Sequence, residues 1–205
     1  MAKDNLKRHY SFKDKVQLAW FLLRTKLIDK DIRLIRFPFI IRGRKYIDLG
    51  KSLTTGFWCR LEAYPIDNSP RVLLKLGNNI QMNDFVHICA IEKVEVGDNC
   101  LLASHIYISD NSHGNYEGGV HDSSPLTPPD HRDYISAPVK IGKNSWLGEG
   151  VIVMPGVTIG EGCVIGAHSV VNRDIPDACI AVGSPAEVVK YYDFEKKCWI
   201  KVKKG

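Results

Sequence analysis

The segment around His113 carries the side chains best suited to chemistry. Asp110-Asn-Ser-His-Gly114 places an imidazole three residues after a carboxylate, in a stretch, residues 110–138, that is rich in Asp, Asn, His, Ser and Pro. An unperturbed histidine, with a pKa of about 6.5, can accept a proton from a hydroxyl near pH 7. Its orientation needs an acceptor on the other ring nitrogen, for which Asp110 or a loop carbonyl would serve. Taken alone, the same histidine also fits an ordinary exposed loop position.

A second polar cluster lies upstream, at Asn83, Asp84 and His87. These residues interrupt a stretch in which aliphatic residues otherwise dominate, so they fit either a ligand-binding surface or a water-exposed corner. Arg132, in the same stretch as His113, could bind a carboxylate or phosphate, although a solvated loop charge fits equally well.

The elements that must position these residues follow from a six-residue repeat. From Ile141 onward an aliphatic residue recurs at every sixth position, and glycine directly follows four of the six. The six positions are Ile141, Leu147, Val153, Ile159, Ile165 and Val171. Weaker copies of the repeat begin near Leu49. A period of six matches neither a helix nor a simple strand.

This period suits a short strand followed by a tight corner, with three such units closing a triangular coil. The aliphatic side chains then point inward, and stacked coils pair their strands at about 4.8 Å. The sequence therefore predicts a mainly β chain folded as a parallel β-helix, whose hand does not follow from the spacing.

Segments that depart from the repeat set the domain boundaries. We predict an amino-terminal helical and basic segment at 1–45, the hexapeptide-repeat β-helix at 46–184, and a short helix with a basic tail at 185–205. Residues 110–138 form one long excursion from the β-helix. Because a loop of this length inside a compact coil is usually functional, the excursion is the expected site of activity.

Residues 11–28 predict an amphipathic helix. Ser11-x-x-Asp14 can cap its start. One stripe collects the apolar residues Phe12, Val16, Ala19, Leu23 and Leu27. We expect this stripe to pack against the end of the β-helix and cover its open strands. The alternative is that the helix lies on a membrane, with Trp20 and the basic residues in the interface.

The overall composition favours one ordinary soluble domain. The chain has 205 residues, of which 44% are hydrophobic and 25% charged, and no apolar run is long enough to span a membrane. Its polar start is not a secretory signal, so we expect a cytoplasmic protein. The six cysteines are widely spaced, without a Cys-x-x-Cys pair, and predict buried free thiols rather than disulfides or a zinc cluster.

The net charge of +5 is unevenly placed. Residues 1–45 hold 13 of the 28 Lys and Arg and 4 of the 23 acidic residues, a local charge of +9, while the remainder sums to −4. Such a segment could contact anionic lipid or a charged polysaccharide precursor. Nucleic acid is not expected as a partner, because no nucleic-acid-binding motif accompanies the charge.

Four segments of the chain resemble a known family. Ile141-Gly-Lys-Asn-Ser-Trp-Leu-Gly-Glu-Gly-Val-Ile-Val-Met-Pro-Gly-Val-Thr-Ile-Gly160 resembles the hexapeptide-repeat acetyltransferases, and Ala181-Val-Gly-Ser-Pro-Ala186 matches their last coils. Ile108-Ser-Asp-Asn-Ser-His-Gly114 and Ser136-Ala-Pro-Val139 resemble the bacterial O-acetyltransferases of O-antigen and exopolysaccharide synthesis. The resemblance implies a left-handed β-helix, a homotrimer with active sites between subunits, and acetyl-CoA lying along the coil edges.

The same resemblance implies roles for individual residues. His113 would be the general base for direct transfer of an acetyl group from acetyl-CoA to a sugar hydroxyl, with Asp110 available to orient it. The implied acceptor-facing residues are Asn83, Asp84, His87 and Arg132. The implied cofactor-binding residues are Trp146, Gly148, Glu149, Gly166, Ala167, Asn172, Arg173 and Lys190. Gly148 and Ala167 would leave room for the pantetheine arm, whereas Glu187 departs from a usually basic position and leaves the phosphate contacts open.

Other functions stay open at this level. The acceptor could be an amino sugar, a serine or an antibiotic, and the acyl group could be longer than acetyl. A zinc enzyme like the γ-type carbonic anhydrases would share the β-helix, but His87, His113 and His121 lack that family's close histidine pair, so no metal is expected. A non-catalytic scaffold would keep the repeat without needing the excursion.

Overall fold

The computed structural model describes residues 11–66 and 71–202 as a parallel β-helix with three flat faces, each face being one sheet. Face 1 contains β1 (Phe39–Arg42), β3 (Cys59–Ala63), β6 (His87–Ala90), β9 (Tyr107–Ser109), β14 (Ile152–Val153) and β17 (Val170–Val171). Face 2 contains β2 (Ile47–Asp48), β4 (Leu74–Leu76), β7 (Val94–Val96), β12 (Val139–Ile141) and β15 (Thr158–Ile159). Face 3 contains β5 (Gln81–Met82), β8 (Leu101–Leu102), β13 (Trp146–Leu147), β16 (Val164–Ile165) and β18 (Cys179–Val182).

The remaining elements flank or interrupt these faces. Helix α1 (Phe12–Ile28) precedes them, and the antiparallel strands β10 (Asn111–His113) and β11 (Tyr134–Ser136) form a separate hairpin. Short 3-10 turns lie at Arg44–Tyr46 and Pro129–His131. Residues 1–10, 67–70 and 203–205 lie outside the described residues, and they include the first part of the predicted basic segment and the end of the predicted basic tail.

The repeat positions line the interior, as the sequence predicts. All six aliphatic residues of the repeat are buried. On face 1 the strand register places Leu61, Ile88, Ile108, Val153 and Val171 in one inward column. Each of these five side chains is fully buried. A continuous apolar shaft therefore runs the length of the β-helix and supplies its main stabilisation.

Polar side chains fix one row of corners. Asn79, Asn99 and Asn144 all adopt a left-handed backbone, with φ between 57° and 61°. Asparagine tolerates this conformation better than most residues. Asn79 Nδ2 donates to Asn99 Oδ1 at 3.2 Å, and Asn99 Nδ2 donates to Asn144 Oδ1 at 3.2 Å. This amide ladder connects three successive coils at the corner between face 2 and face 3.

The cysteines are free thiols, as predicted, but the prediction that they are buried is wrong for Cys198. Cys59, Cys100, Cys163 and Cys179 are buried, Cys89 is half-buried, and Cys198 is exposed. Burial raises the pKa of Cys59 and of Cys100 to about 11. These two thiols therefore stay protonated near neutral pH and act as small apolar side chains.

The predicted short helix after residue 185 is wrong. Residues 187–201 form two strands, β19 (Glu187–Asp193) and β20 (Cys198–Lys201), which extend face 3 in antiparallel pairing. The last parallel strand, β18, would otherwise leave a row of backbone donors and acceptors unpaired. Valine and tyrosine in β19 favour the extended conformation, in which the backbone of β19 pairs with these donors and acceptors of β18.

The β-helix also starts before the predicted boundary at residue 46. Strand β1 pairs with β3, and Leu34 already forms a parallel bridge with Thr54. The aliphatic positions of this first coil do not follow a clean six-residue spacing, which is why the sequence placed it in the amino-terminal segment.

Helix α1 forms as predicted, with the capping box at Ser11 and Asp14. It packs through a different face, however, so the predicted packing stripe is wrong. Phe21 and Thr25 are the buried residues of the helix. Phe21 contacts the ring of Phe37, and Thr25 Oγ1 accepts a hydrogen bond from Ile35 N at 2.8 Å. These contacts turn the longer apolar stripe toward solvent.

Shortening an inward side chain should test the apolar shaft. Leu102 is fully buried, and Leu102→Ala is expected to lower the free energy of unfolding by about 2–5 kcal/mol because it leaves a cavity. Leu126 is 92% exposed, and Leu126→Ala is the matched control, with an expected change within about 0.5 kcal/mol. Denaturant titration followed by circular dichroism measures both. Equal destabilisation of the two variants would contradict the assignment of the shaft.

Candidate active site

A cavity of about 700 Å³ opens on face 1, at the corner from which the excursion leaves. Its walls come from the hairpin, from the outward side chains of β6 and β9, and from the segment after β3. The side chains that carry polar or aromatic chemistry there are Tyr64, His87, Tyr107, Asn111, Ser112, His113 and Tyr134. The cavity therefore brings two predicted site residues, His87 and His113, to one surface.

His113 is held at the rim of this cavity by the hairpin. It pairs with Tyr134 across β10 and β11, and the two rings lie 4.5 Å apart at an angle of 48°. The carbonyl of His113 accepts a hydrogen bond from Tyr116 Oη at 2.6 Å. Since its side chain is exposed, the imidazole is open to an incoming molecule.

Arg132 braces the excursion from inside. Its Nη1 donates to Tyr116 Oη at 2.6 Å, and its Nε donates to the carbonyl of Thr127 at 2.8 Å. Because Tyr116 in turn holds the carbonyl of His113, the guanidinium helps to fix the backbone that carries the imidazole. The predicted contact of Arg132 with an acceptor stays a prediction.

The predicted orienting role of Asp110 is wrong in this structure. Its carboxylate is fully buried and accepts hydrogen bonds from the amides of Ile91, Glu92 and Lys93 at 2.7–3.1 Å. Asn111 Nδ2 also donates to it, at 3.0 Å. A carboxylate has about four lone-pair sites, and these bonds occupy them. Asp110 thus anchors the base of the excursion to the preceding coil, and the sequence could not separate this role from catalysis.

A buried carboxylate, Glu62, organises the opposite wall. Its Oε1 accepts hydrogen bonds from Arg42 Nη1 at 2.6 Å and from Tyr64 Oη at 3.2 Å. Its Oε2 lies 3.2 Å from Arg60 Nε and 2.9 Å from His87 Nε2. Burial raises the pKa of Glu62, but the hydrogen bonds from His87 and Arg42 and the charge of Arg60 outweigh it, so the pKa lies below its ordinary value.

Both ring nitrogens of His87 are engaged. Nε2 lies beside the Glu62 carboxylate, and Nδ1 lies 3.1 Å from Arg60 Nη2, which can only donate. Nδ1 must therefore accept, and the proton sits on Nε2. Burial lowers the pKa of His87, and the neighbouring Arg60 charge adds to this against the hydrogen bond to Glu62. In this arrangement the His87 imidazole is neutral and bridges Arg60 and Glu62. It has no free lone pair with which to accept a proton as a general base.

Sequence reasoning missed Arg42, Arg60, Glu62 and Tyr64. They lie in the first two coils, where the six-residue pattern is weak. The available signal was the alternation Arg60-x-Glu62-x-Tyr64, because alternate residues of a strand point to one face. Register then places Arg60, His87 and Tyr107 side by side on three successive strands.

Asn83 and Asp84 do not share a surface with His87. They line a different cleft together with Arg33 and Arg36. Asp84 Oδ1 accepts a hydrogen bond from the amide of Phe57 at 2.8 Å, so it caps a corner of the preceding coil. The predicted cluster of three acceptor-facing residues is therefore split between two clefts.

The predicted cofactor-binding residues fall on three parts of the surface. Trp146 lies exposed on face 3, and Lys190 lies in the strand β19 that extends it. The corner between face 3 and face 1 carries Gly148, Glu149, Gly166 and Ala167. Asn172 and Arg173 follow β17, at the corner between face 1 and face 2. This last corner is the one from which the excursion leaves, two coils earlier.

Gly148 does not leave room for the pantetheine arm, so this implication of the resemblance is wrong. A Cβ atom there would lie 2.7 Å from Ala167 N and 2.9 Å from Ile165 O. The space beside Gly148 is thus filled by the next coil of the same chain. Glycine is required for coil stacking, and Ala167, which is exposed, is the one of the two positions open to a ligand.

Within residues 11–66 and 71–202, no group of three or more His, Cys, Asp or Glu side chains could hold a metal ion.

Comparisons with known proteins agree with this geometry. Residues 138–173 match the family described as bacterial transferase hexapeptide (six repeats). WbbJ of Escherichia coli (strain K12), assigned as an O-acetyl transferase of lipopolysaccharide biosynthesis, is 39% identical over 96% of this chain and 97% of its own. Rv3034c of Mycobacterium tuberculosis (strain ATCC 25618 / H37Rv), assigned as an acetyltransferase, is 34% identical over 83% of this chain and 55% of its own.

A solved structure shares the fold. AntD, an N-acyltransferase from Bacillus cereus in complex with dTDP and 3-hydroxybutyryl-CoA, aligns with a TM-score of 0.65. The alignment covers 85% of this chain and 89% of that one at 21% sequence identity. This likeness, together with the repeat match, confirms the left-handed hexapeptide β-helix implied by the resemblance.

Replacing the buried carboxylate at the base of the excursion should cost stability. Asp110→Asn removes one acceptor oxygen from a set of backbone donors, and we expect a loss of about 1–3 kcal/mol in the free energy of unfolding. Asp130→Asn, at an exposed position in the same excursion, is the control and should change little. Denaturant titration gives both values. Unchanged stability with lost activity would instead restore Asp110 as an orienting residue.

Glu62 should make the thermal stability of the protein depend on pH in the acid range. Because its pKa is lowered in the folded protein, the carboxylate contributes stability above the ordinary glutamate pKa of about 4.3, and this is lost as the pH falls through the folded value. Glu62→Gln should therefore flatten the fall of Tm between neutral and acid pH. Glu117→Gln, an exposed control, should keep the wild-type slope. Parallel pH profiles for all three proteins would contradict the assignment.

Proposed function

This chain belongs to the bacterial hexapeptide-repeat acetyltransferases, and from that premise we propose that it transfers an acetyl group from acetyl-CoA to a hydroxyl of a sugar in lipopolysaccharide or polysaccharide synthesis. The observation that carries this proposal is an exposed imidazole, His113, at the rim of a cavity with tyrosine walls. Oxygen is favoured over nitrogen as the acceptor atom because WbbJ, assigned as an O-acetyl transferase, matches this chain over nearly its whole length.

In the proposed mechanism His113 takes the proton of the acceptor hydroxyl as the oxygen attacks the thioester carbonyl. A tetrahedral intermediate forms, its C–S bond breaks, and the proton passes to the departing thiolate. No acyl group is placed on the protein. The ring of Tyr134 supports the imidazole from one side at 4.5 Å, and the hairpin limits where the imidazole can point.

The cavity suits a sugar ring. Tyr64, Tyr107 and Tyr134 each combine an apolar ring with a polar tip, which fits the mixed apolar and hydroxylated surface of a carbohydrate. The arginines held by Glu62 lie beside this wall and give it positive charge. We assign acceptor binding to this wall and to His87. Asn83 and Asp84, at the corner between faces 3 and 1, would contact the acceptor only from a neighbouring copy of the chain, and Arg132 from within the excursion.

We propose a trimer because, within one chain, His113 and the predicted cofactor-binding residues Glu149 and Ala167 lie at different corners of the β-helix. The excursion that carries His113 starts at the corner between faces 1 and 2, whereas Glu149 and Ala167 lie at the corner between faces 3 and 1. Side-by-side packing of copies would bring one corner of each chain to another corner of its neighbour and close the cleft around acetyl-CoA. Asn172 and Arg173, two coils or about 10 Å along from the excursion, would then meet the CoA phosphates.

The other predicted cofactor contacts fit the same scheme. The backbones of two successive coils, one with Trp146 and Gly148 and the next with Gly166, would approach the pantetheine arm, and Lys190 would add positive charge on face 3. Cytoplasmic location is proposed with it, since that is where acetyl-CoA is available to an enzyme of this class.

The test is acetyl-CoA-dependent thiol release with methyl hexosides as acceptors and matched amino sugars in parallel. His113→Ala should lower kcat/KM by about 10²- to 10⁴-fold, the range that a general base contributes. His121→Ala, an exposed histidine of the same excursion, is the matched control and should retain wild-type turnover. Near-UV circular dichroism checks that both variants fold. A wild-type rate for His113→Ala would overturn the base, and turnover of amino sugars alone would overturn the hydroxyl acceptor.

A further inference from the structure

Helix α1 presents an apolar surface that the β-helix does not cover. Five large apolar side chains of the helix are each more than half exposed: Phe12, Val16, Trp20, Leu23 and Leu27. At 3.6 residues per turn they fall within an arc of about 80°. The buried residues, Phe21 and Thr25, lie on the opposite side of the helix. The stripe therefore faces away from the protein along the whole length of the helix.

Positive charges border this stripe on both sides. By the same helical spacing, Lys13 and Arg24 lie on one flank and Lys15 and Lys26 on the other. The Arg24 guanidinium stacks on the Phe37 ring at 3.8 Å, and Lys26 Nζ donates to the carbonyls of Lys30 and Ile32 at 2.7 Å, so Lys13 and Lys15 are the cations most available to an anionic surface. Asp14 is the single acid of α1, and it is taken up by the capping box with Ser11. The helix thus carries four bases against one acid, a net charge of +3.

We propose that α1 is an interfacial helix that docks this protein on an anionic lipid surface. The apolar stripe would enter the boundary between headgroups and acyl chains, with the flanking cations at the level of the phosphates. Trp20, near the middle of the stripe, has the side chain preferred at that boundary. None of the helices among the described residues is long and apolar enough to cross a bilayer.

Charge complementarity favours lipid over a second copy of this chain. Two copies of α1 packed stripe to stripe would bring cations together along both edges of the contact, which is unfavourable. An anionic lipid surface neutralises both edges at once. The proposal does not depend on the acyl-transfer reaction, because it rests on α1 alone.

The experiment is co-sedimentation of the full chain with vesicles of mixed phosphatidylglycerol and phosphatidylcholine, and with vesicles of phosphatidylcholine alone. The wild-type protein should bind the anionic vesicles at least about tenfold more strongly than the neutral ones, and less at high salt. The double variant Val16→Glu, Leu23→Glu should lose about tenfold or more of the anionic binding. Its matched control is Val120→Glu, Leu126→Glu, because both of these residues are more than 90% exposed and lie outside α1.

A charge-reversed variant, Lys13→Glu, Lys15→Glu, keeps the stripe and should lose the preference for anionic vesicles. Far-UV circular dichroism checks that α1 remains folded in every variant. Equal binding of the wild-type protein and the stripe variant would overturn the proposal, and so would equal binding to neutral and anionic vesicles. Loss of self-association in the stripe variant, measured by sedimentation equilibrium without lipid, would assign the stripe to a second copy and overturn it too.

Discussion

The stacking of parallel coils about 4.8 Å apart is the constraint on which the rest of this structure depends. Inward aliphatic side chains close the shaft, so side chains at the same register on successive coils must touch on the outside as well. That is why Arg60, His87 and Tyr107 stand in one row on face 1. The same closeness brings Glu62 into contact with His87 and the arginines and lets one buried carboxylate organise the wall of the cavity.

Regular coils alone offer only short corners, and the excursion supplies the longer segment that carries His113. Such a loop is useful only if its ends are fixed. Asp110 binds the amides of residues 91–93, and Ala137 N donates to the carbonyl of Asp110 at 2.8 Å, so the excursion leaves and returns at one corner. Arg132 and Tyr116 brace its interior. The imidazole is thereby exposed on a well-connected support.

The two ends of a β-helix pose a different problem, because each leaves an unpaired strand edge or an open apolar shaft. At the carboxyl end, β19 and β20 continue face 3 in antiparallel pairing. At the amino end, Phe21 packs against Phe37 and Phe57 on the first two coils. The hydrogen bond from Ile35 N to Thr25 Oγ1 and the Arg24 guanidinium over the Phe37 ring add to this attachment, which uses one side of α1 and leaves the larger apolar stripe on the surface.

The repeating fold, the excursion and the capped helix follow from the amino-acid sequence alone, because each depends on a spacing of residue types within one segment. Three-dimensional contacts were needed to show which face of α1 is buried, that residues 187–201 are strands, and that Asp110 holds backbone amides while Glu62 partners His87. Those outcomes depend on contacts between separate segments of the chain, from the β18–β19 pairing to the Glu62–His87 contact between coils, and no local pattern sets which side chains meet there. For the same reason Asn83 and Asp84 are close to His87 along the chain, but a corner of the β-helix separates them from it in space.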